Sequence, residues 1–193
     1  MSSISLIVGL GNPGKEYAQT RHNAGFWFVE QLADRYGINL KADPKFHGYS
    51  GRGQVKGHDV RLLLPTTFMN RSGQSVAPFA KFYQVAPESI LIAHDELDMD
   101  PGVIRLKTGG GHGGHNGLRD IVPHMGPNFH RLRIGIGHPG SKERVSGHVL
   151  GKAPSSEQAL MDAAIDHALS KVKMLVDGQV SQAMNQINAY KPA

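Results

Sequence analysis

Ser5-Leu6-Ile7-Val8-Gly9-Leu10-Gly11-Asn12-Pro13-Gly14 is the stretch on which the reading of the fold turns. Its first four residues form a short apolar run that stops at glycine, the pattern of a buried strand. From Gly9 to Gly14 the chain matches G-x-G-x-x-G, which binds dinucleotides when it feeds straight into a helix whose N-terminus receives the pyrophosphate. Here Pro13 and the loop residues through Gln19 stand between the turn and the next helical pattern, which begins at Thr20. The acidic residue expected about 20 positions on is Asp34, inside that helix and not at the end of a second strand. The dinucleotide turn is rejected on these grounds; an NAD-linked oxidoreductase, resting on Gly9–Gly14 alone, is kept as an alternative class that absence of nicotinamide binding would eliminate. What remains is a glycine-shaped loop presenting Asn12 at the carboxyl end of a strand, the edge at which α/β sheets bind ligands.

Outward from that loop, Phe26, Val29, Leu32, Ala33 and Tyr36 share one face of the helix that starts at Thr20, with Gly37 as its stop. Residues 46–55 and 59–64 read as strands joined by the turn 56–58. A helix follows Asn70, with Pro78 implying a kink or a late start. Strands are expected at 89–93, 103–107 and 131–136. The glycine loop 109–114 leads into a helix over 116–124 that Pro123 would end. The clearest helix opens at Ser155, where Ser155-x-x-Gln158 reads as a capping box. Met161, Ile165, Ala168, Val172 and Leu175 continue it at helical spacing to Gly178, and residues 180–190 predict a short helix beside it. Strands mixed with helices predict one α/β domain over 1–193: a mixed, mostly parallel, twisted sheet surrounded by helices.

The chain has 193 residues, which suits one domain. It has no cysteine, which excludes disulfides, thiolate zinc and a cysteine nucleophile. No apolar run approaches the about 18 residues of a membrane span, and the N-terminal residues lack a basic signal-peptide region, so a cytoplasmic location is expected. Charge is unevenly spread. The net charge is +5, yet the segment 105–152 carries eight basic residues against two acids, a local +6. Seven of the eleven histidines and thirteen of the 24 glycines fall between His94 and Gly151. A basic, glycine-rich stretch with little acid suits a polyanion, often nucleic acid.

Candidate chemistry gathers at element ends. The loop Gly109-Gly-Gly-His-Gly-Gly-His-Asn-Gly117 lacks the Gly-Lys-Ser/Thr of a phosphate loop. His112-x-x-His115 is not the helical i, i+4 pair with a glutamate that holds zinc, so metal is the weaker reading. Asn116 stands at or near the cap of the next helix. His22 lies in the first turn of the Thr20 helix, where a helix N-terminus disfavours imidazolium and keeps a histidine able to accept a proton. Asp95 follows the strand 89–93, where a carboxylate can orient a histidine base. With no serine in a nucleophile elbow and no cysteine, the nucleophile would be water. Asn12, Asn70 and Asn116, on three different loops, could offer amide donors to a developing oxyanion. The polar, glycine-flanked stretch 141–151 could be a lid and is read as a static surface loop.

Several blocks carry a resemblance: Val8-Gly-Leu-Gly-Asn-Pro-Gly14, Tyr17, Thr20-Arg-His-Asn-Ala-Gly25, Pro65-Thr-Thr-Phe-Met-Asn-x-Ser-Gly73, His94-Asp-Glu-Leu-Asp98, Gly109–Leu118 and Phe129-x-Arg-Leu-Arg-Ile-Gly-Ile-Gly-His-Pro-Gly140. In this order, over essentially the whole chain, they resemble the bacterial-type peptidyl-tRNA hydrolases. The spacer before Phe129 is short and Pro78 is unusual for its helix; neither touches a catalytic position. The resemblance implies hydrolysis of the ester between a peptide and the 3′ end of tRNA, recycling tRNA from prematurely released peptidyl-tRNA. It implies His22 as base, Asp95 as its partner and Asn12 near the scissile carbonyl. Asn70 and Asn116 would hold the peptide backbone and the 3′ adenosine, Met69 would line the cleft, and Tyr17 would be a nearby binding residue. Lys107 and Arg133 would clamp the tRNA 5′ phosphate. A monomer without metal or cofactor is expected. The alternatives are a non-catalytic RNA-binding or splicing cofactor of the same fold, and an esterase for small substrates.

Overall fold

The apolar run of the opening segment is β1 (Leu6–Gly9), every residue of it buried, in a computed structural model that describes residues 2–193. Its neighbours are β4 (His58–Pro65) and β5 (Ile90–Glu96), both parallel to it. With β2 (Lys41–Asp43), β3 (Gly48–Val55), β6 (Ile104–Thr108) and β7 (His130–Gly135) they form a seven-stranded sheet in the order β2-β3-β4-β1-β5-β7-β6.

The expected mixed sheet surrounded by helices is observed. The parallel share is smaller than expected. The three central pairings are parallel and the three outer ones antiparallel. One cause is local. Lys56 and Gly57 have φ of 50° and 78°, the two left-handed residues of a tight hairpin turn, and a two-residue turn can join only antiparallel strands. The first strand of that hairpin begins at Gly48, not 46, because Pro44–Phe46 forms a 3-10 turn ended by left-handed His47. The edge strand β2 is short and mostly exposed, so it leaves no periodic signal in the sequence.

Helices cover both faces. On one, α1 (Ala24–Arg35), α5 (Ser155–Leu169), α6 (Val172–Val176) and α7 (Val180–Asn188) pack Phe28, Leu32, Ile165 and Val172 against Ile7, Leu91 and Leu132. On the other, α2 (Gly73–Phe82) and α3 (Asn116–Met125) pack Val76, Phe79 and Ile121 against Val8, Leu63 and Ile92. Pro78 and Pro123 lie inside α2 and α3 without ending them. The capping box at Ser155 does not form. Pro154 holds the cap position of α5 with no side-chain cap, and Gln158 donates to Asp162. The stripe through Met161 to Leu175 is buried as expected but is divided between α5 and α6. The stretch 141–151 is not a plain loop: it holds a 3-10 turn (Lys142–Arg144) and α4 (Val145–Val149). No helix is long and apolar enough to cross a membrane among the described residues.

One contact brings the site together. A methyl group on Gly25 would stand 2.3 Å from the carbonyl oxygen of Ala93 and 2.7 Å from the amide of Leu10. Glycine therefore lets the start of α1 press onto the carboxyl ends of β1 and β5. That contact carries His22, three residues earlier, to the strand end that bears Asp95.

Candidate active site

His22 stands in a 3-10 turn (Arg21–Asn23) ahead of α1, not in the α-helix itself. Its Nδ1–H donates to Asp95 Oδ2 at 2.8 Å across 73 residues of sequence. His115 Nδ1 accepts from the amides of Gly117 and Leu118, at 3.1 and 3.3 Å, as the cap of α3. Its proton therefore sits on Nε2, which donates to Asp95 Oδ1 at 2.8 Å. One buried carboxylate thus accepts from two histidines, and His22 Nε2 is left as a lone pair facing the cleft. Asn116, expected near the cap, is the first residue of α3, and His115 does the capping. This role of His115 is missed by a reading that weighs it only as half of a zinc pair. His22, Asp95 and His115 do hold their possible ligand atoms within 4.8 Å of one another, but the atoms facing Asp95 are all engaged in these hydrogen bonds.

Asn12 is locked on three sides. Its backbone amide donates to Asn23 Oδ1 at 2.8 Å, and Asn23 Nδ2 donates back to its carbonyl at 2.9 Å. Its Oδ1 accepts from the Met69 amide at 2.7 Å. The Asn12 side-chain NH2 is then the free donor at the cleft wall. Phe68, just before Met69, has φ 65° and ψ 153°. That region is costly for a bulky residue, about 1–3 kcal/mol, and the Asn12–Met69 bond helps hold the turn in place. Phe68 is half exposed and meets Tyr17 edge-on at 6.2 Å. Neither Asn23 nor Phe68 stands out in the sequence, because their roles rest on contacts with distant loops.

The cleft encloses about 720 Å³, and its walls include Asn12, His22, Met69, Asn70, Asp95 and Asn116. Six of the nine expected site residues therefore meet in one place. Tyr17 borders it through Phe68. Lys107 and Arg133 lie outside, on β6 and β7. Lys107 is exposed, and Arg133 Nε donates to Glu96 Oε1 at 3.0 Å.

Burial alone would push the His22 imidazole down, but the Asp95 charge and hydrogen bond outweigh it and hold the pKa above the ordinary 6.5. Burial works to raise the Asp95 carboxyl, yet the facing charges of His22 and His115 and both hydrogen bonds keep it well below the usual carboxylate range. His94, packed edge-on against His115 at 4.9 Å, is pushed down to about 3, chiefly by burial. The cluster therefore carries one fixed negative charge, which favours the protonated form of His22.

The comparisons with known proteins decide what this cleft belongs to. Residues 6–193 match the family model described as peptidyl-tRNA hydrolase. The chain belongs to the peptidyl-tRNA hydrolase family. A protein of Acinetobacter baumannii (strain AYE) named peptidyl-tRNA hydrolase is 89% identical over 193 residues, all of both chains. One of Psychrobacter cryohalolentis with the same name is 62% identical over 189 residues, 98% of each chain. The crystal structure of peptidyl-tRNA hydrolase from Acinetobacter baumannii superposes with a TM-score of 0.99 at 88% identity, covering 100% of this chain and 98% of that one. The reaction is thus the hydrolysis of peptidyl-tRNA, and the non-catalytic alternative is not favoured.

For a peptidyl-tRNA hydrolase working through a neutral His22, the sign of the pH dependence follows. His22 must be unprotonated to accept a proton, so kcat/KM is expected to rise with pH through a value above 6.5 and then level off. The stabilisation that protonated His22 gains from Asp95 is fully present below its unfolded pKa and is lost as pH rises through the folded one. Activity should appear over the window in which that stabilisation disappears. A pH–rate profile of N-acetyl-aminoacyl-tRNA hydrolysis beside thermal melts checks both; a rate falling through this range would contradict the base assignment.

Proposed function

We propose that His22 Nε2 activates water for attack on the peptidyl ester, with Asp95 setting its tautomer and His115 holding Asp95 in place. The carrying observation is the 2.8 Å contact of His22 Nδ1 with Asp95 Oδ2, which leaves Nε2 open to the cleft. An aminoacyl ester is already activated, so a base, a water and amide donors suffice. A general base typically supplies about 10²–10⁴-fold, and one oxyanion donor about 10²–10³. The free Asn12 NH2 is the donor near the scissile carbonyl. Asn70, on the turn Met69–Arg71, and Asn116 hold the peptide backbone and the 3′ adenosine, and Met69 and Tyr17 complete the wall. Amides that read backbone suit a substrate whose side chains vary. The protein acts as a one-domain monomer in the cytoplasm and needs no metal or cofactor in this scheme.

The tRNA body is held elsewhere. Arg105 and Lys107 face Arg133 and Arg131 directly across β6 and β7. Like charges paired across strands are unfavourable unless an anion intervenes. Arg131 is spent on the carbonyls of Gly110, Gly111 and Pro127, which anchors the glycine loop. Lys107 and Arg133 remain for a phosphate, Arg133 exchanging Glu96 for it. Replacing both by alanine is expected to raise KM at least about tenfold at low salt with kcat little changed. The salt slope of binding should become shallower by about one for each charge removed. Steady-state kinetics across a salt series checks this.

The reading as a whole is tested by single-turnover hydrolysis of N-acetyl-aminoacyl-tRNA beside the free aminoacyl-tRNA. Fast release of the acylated form and slow release of the free amine is the expected result. Equal rates would remove the claim that the asparagines select an acylated residue. Binding without release by the wild-type protein would remove the enzymatic reading.

A further inference from the structure

Beyond Asn12 lies a second hollow of about 420 Å³, between the loop after β1, the outer face of α1 and the start of β3. Asn12 lines both this hollow and the main cleft, so the two meet at the residue assigned to the scissile carbonyl. They differ in their basic residues. The main cleft has Arg119 and Lys142 among its walls beside Asp95, Glu96 and Asp98. No lysine or arginine lines the second hollow, and its charged residues are Glu30 and Asp43. Glu30 has no ion-pair partner among the described residues. Asp43 accepts from the Ser50 hydroxyl at 2.8 Å through one oxygen, which leaves the other free. Tyr49, 46% exposed, adds an aromatic surface to the rim.

The order of the sheet sets these features apart. The hollow borders β2, β3 and β4, the His22–Asp95 pair stands at β1 and β5, and the basic face lies on β7 and β6. A substrate with a polyanionic end and a peptide end, joined at the ester, fits this layout in one direction only. With two carboxylates and no basic residue on its walls, the hollow disfavours phosphates, so the nucleic acid lies toward β6 and the peptide leaves past Asn12.

We infer that the second hollow is a peptide subsite, which receives residues upstream of the ester and favours a cationic side chain against Glu30, Asp43 and Tyr49. This rests on the reading of the main cleft given above. The volume falls within the about 300–1,000 Å³ of small-molecule sites. A lysine ammonium there would gain from both carboxylates and from the face of Tyr49. Because the hollow opens to solvent, the gain is modest and is screened by salt.

The test is a series of N-acetylated peptidyl-tRNAs with one C-terminal residue throughout and Lys, Ala or Glu placed second, third or fourth from the ester. For at least one position, kcat/KM is expected to favour Lys over Glu by about three- to tenfold at low salt, with the ratio shrinking in high salt. The double variant Glu30→Gln/Asp43→Asn should abolish that ratio. N-acetyl-aminoacyl-tRNA, whose single residue stays in the main cleft, should be hydrolysed alike by variant and wild type. Absence of a charge preference at every position, or a preference that survives in the double variant, overturns the subsite while N-acetyl-aminoacyl-tRNA is still cleaved. Failure of the wild-type protein on that shortest substrate overturns the underlying reading instead.

Discussion

Replacing His22 by alanine is expected to lower single-turnover hydrolysis of N-acetyl-aminoacyl-tRNA by about 10³-fold or more, while tRNA affinity stays within a few-fold. The first part follows from geometry. His22 Nε2 is the unengaged histidine nitrogen on the cleft side of the Asp95 cluster, since His115 spends both of its nitrogens on Asp95 and the α3 amides. A loss of 10³ corresponds to about 4 kcal/mol of transition-state stabilisation, within the range of general-base catalysis. The Asn12 donor survives the substitution, so some rate above the uncatalysed one should remain. The second part follows from the layout of the sheet, in which the basic face of β6 and β7 is separate from the cleft. Equilibrium binding beside single-turnover release measures both. Hydrolysis that persists in His22→Ala would keep the reaction and move the base to another residue.

Asp95→Asn should cost about as much, roughly 10³–10⁴-fold, although it changes the side chain's size very little. The reason lies in counting donors. Asp95 accepts from His22 and from His115, whereas an asparagine has one oxygen and an NH2 group to place against the same two nitrogens. The tautomer of His115 is fixed by the amides of Gly117 and Leu118, so the asparagine oxygen must go to His115. The NH2 then faces His22 Nδ1, which must accept, and the His22 proton moves to Nε2. The base is lost without any change in position. The His22 pKa should also fall, because the carboxylate that held it up is gone. Two readouts separate this from simple unfolding: the residual activity keeps wild-type substrate affinity, and its pH profile shifts to lower pH. His22→Ala combined with Asp95→Asn should be little worse than either alone, as for groups acting as a unit. An Asp95→Asn protein of near wild-type rate would mean that His22 does not depend on the carboxylate. In the wild-type protein the depressed carboxyl contributes stability above its ordinary 3.8 that is lost as pH falls through the folded value. The cluster should therefore resist mild acid.

The elements were legible where their signals are local. The apolar runs of β1 and β5, the turn at Lys56-Gly57 and the stripe on α1 each depend on residues a few positions apart, and they appear in the structure within a few residues of expectation. His22, Asp95, Asn12, Asn70 and Asn116 could be placed for a related reason: loops that follow strands or open helices at the carboxyl edge are where α/β sheets bind ligands, and all five line one cleft. One expectation failed at a helix start: Ser155-x-x-Gln158 had the right spacing for a cap, yet Pro154 took the cap position. The helix expected over 116–124 is present as α3 and runs one residue further, to Met125, with Pro123 in its last turn.

Sequence by itself determined the α/β class, the family, the absence of any cysteine chemistry and the identity of the polar residues at the strand ends. The tertiary structure alone decided how those residues are held. The proton position on His22 is set by a carboxylate 73 residues away. The proton position on His115 is set by helix amides, and the free end of Asn12 by an amide from the Met69 turn. The even mix of parallel and antiparallel pairs likewise came from the placing of whole strands. A hydrogen bond's direction depends on what stands opposite each atom, and no pattern of neighbouring residues encodes a partner that only folding brings within 3 Å.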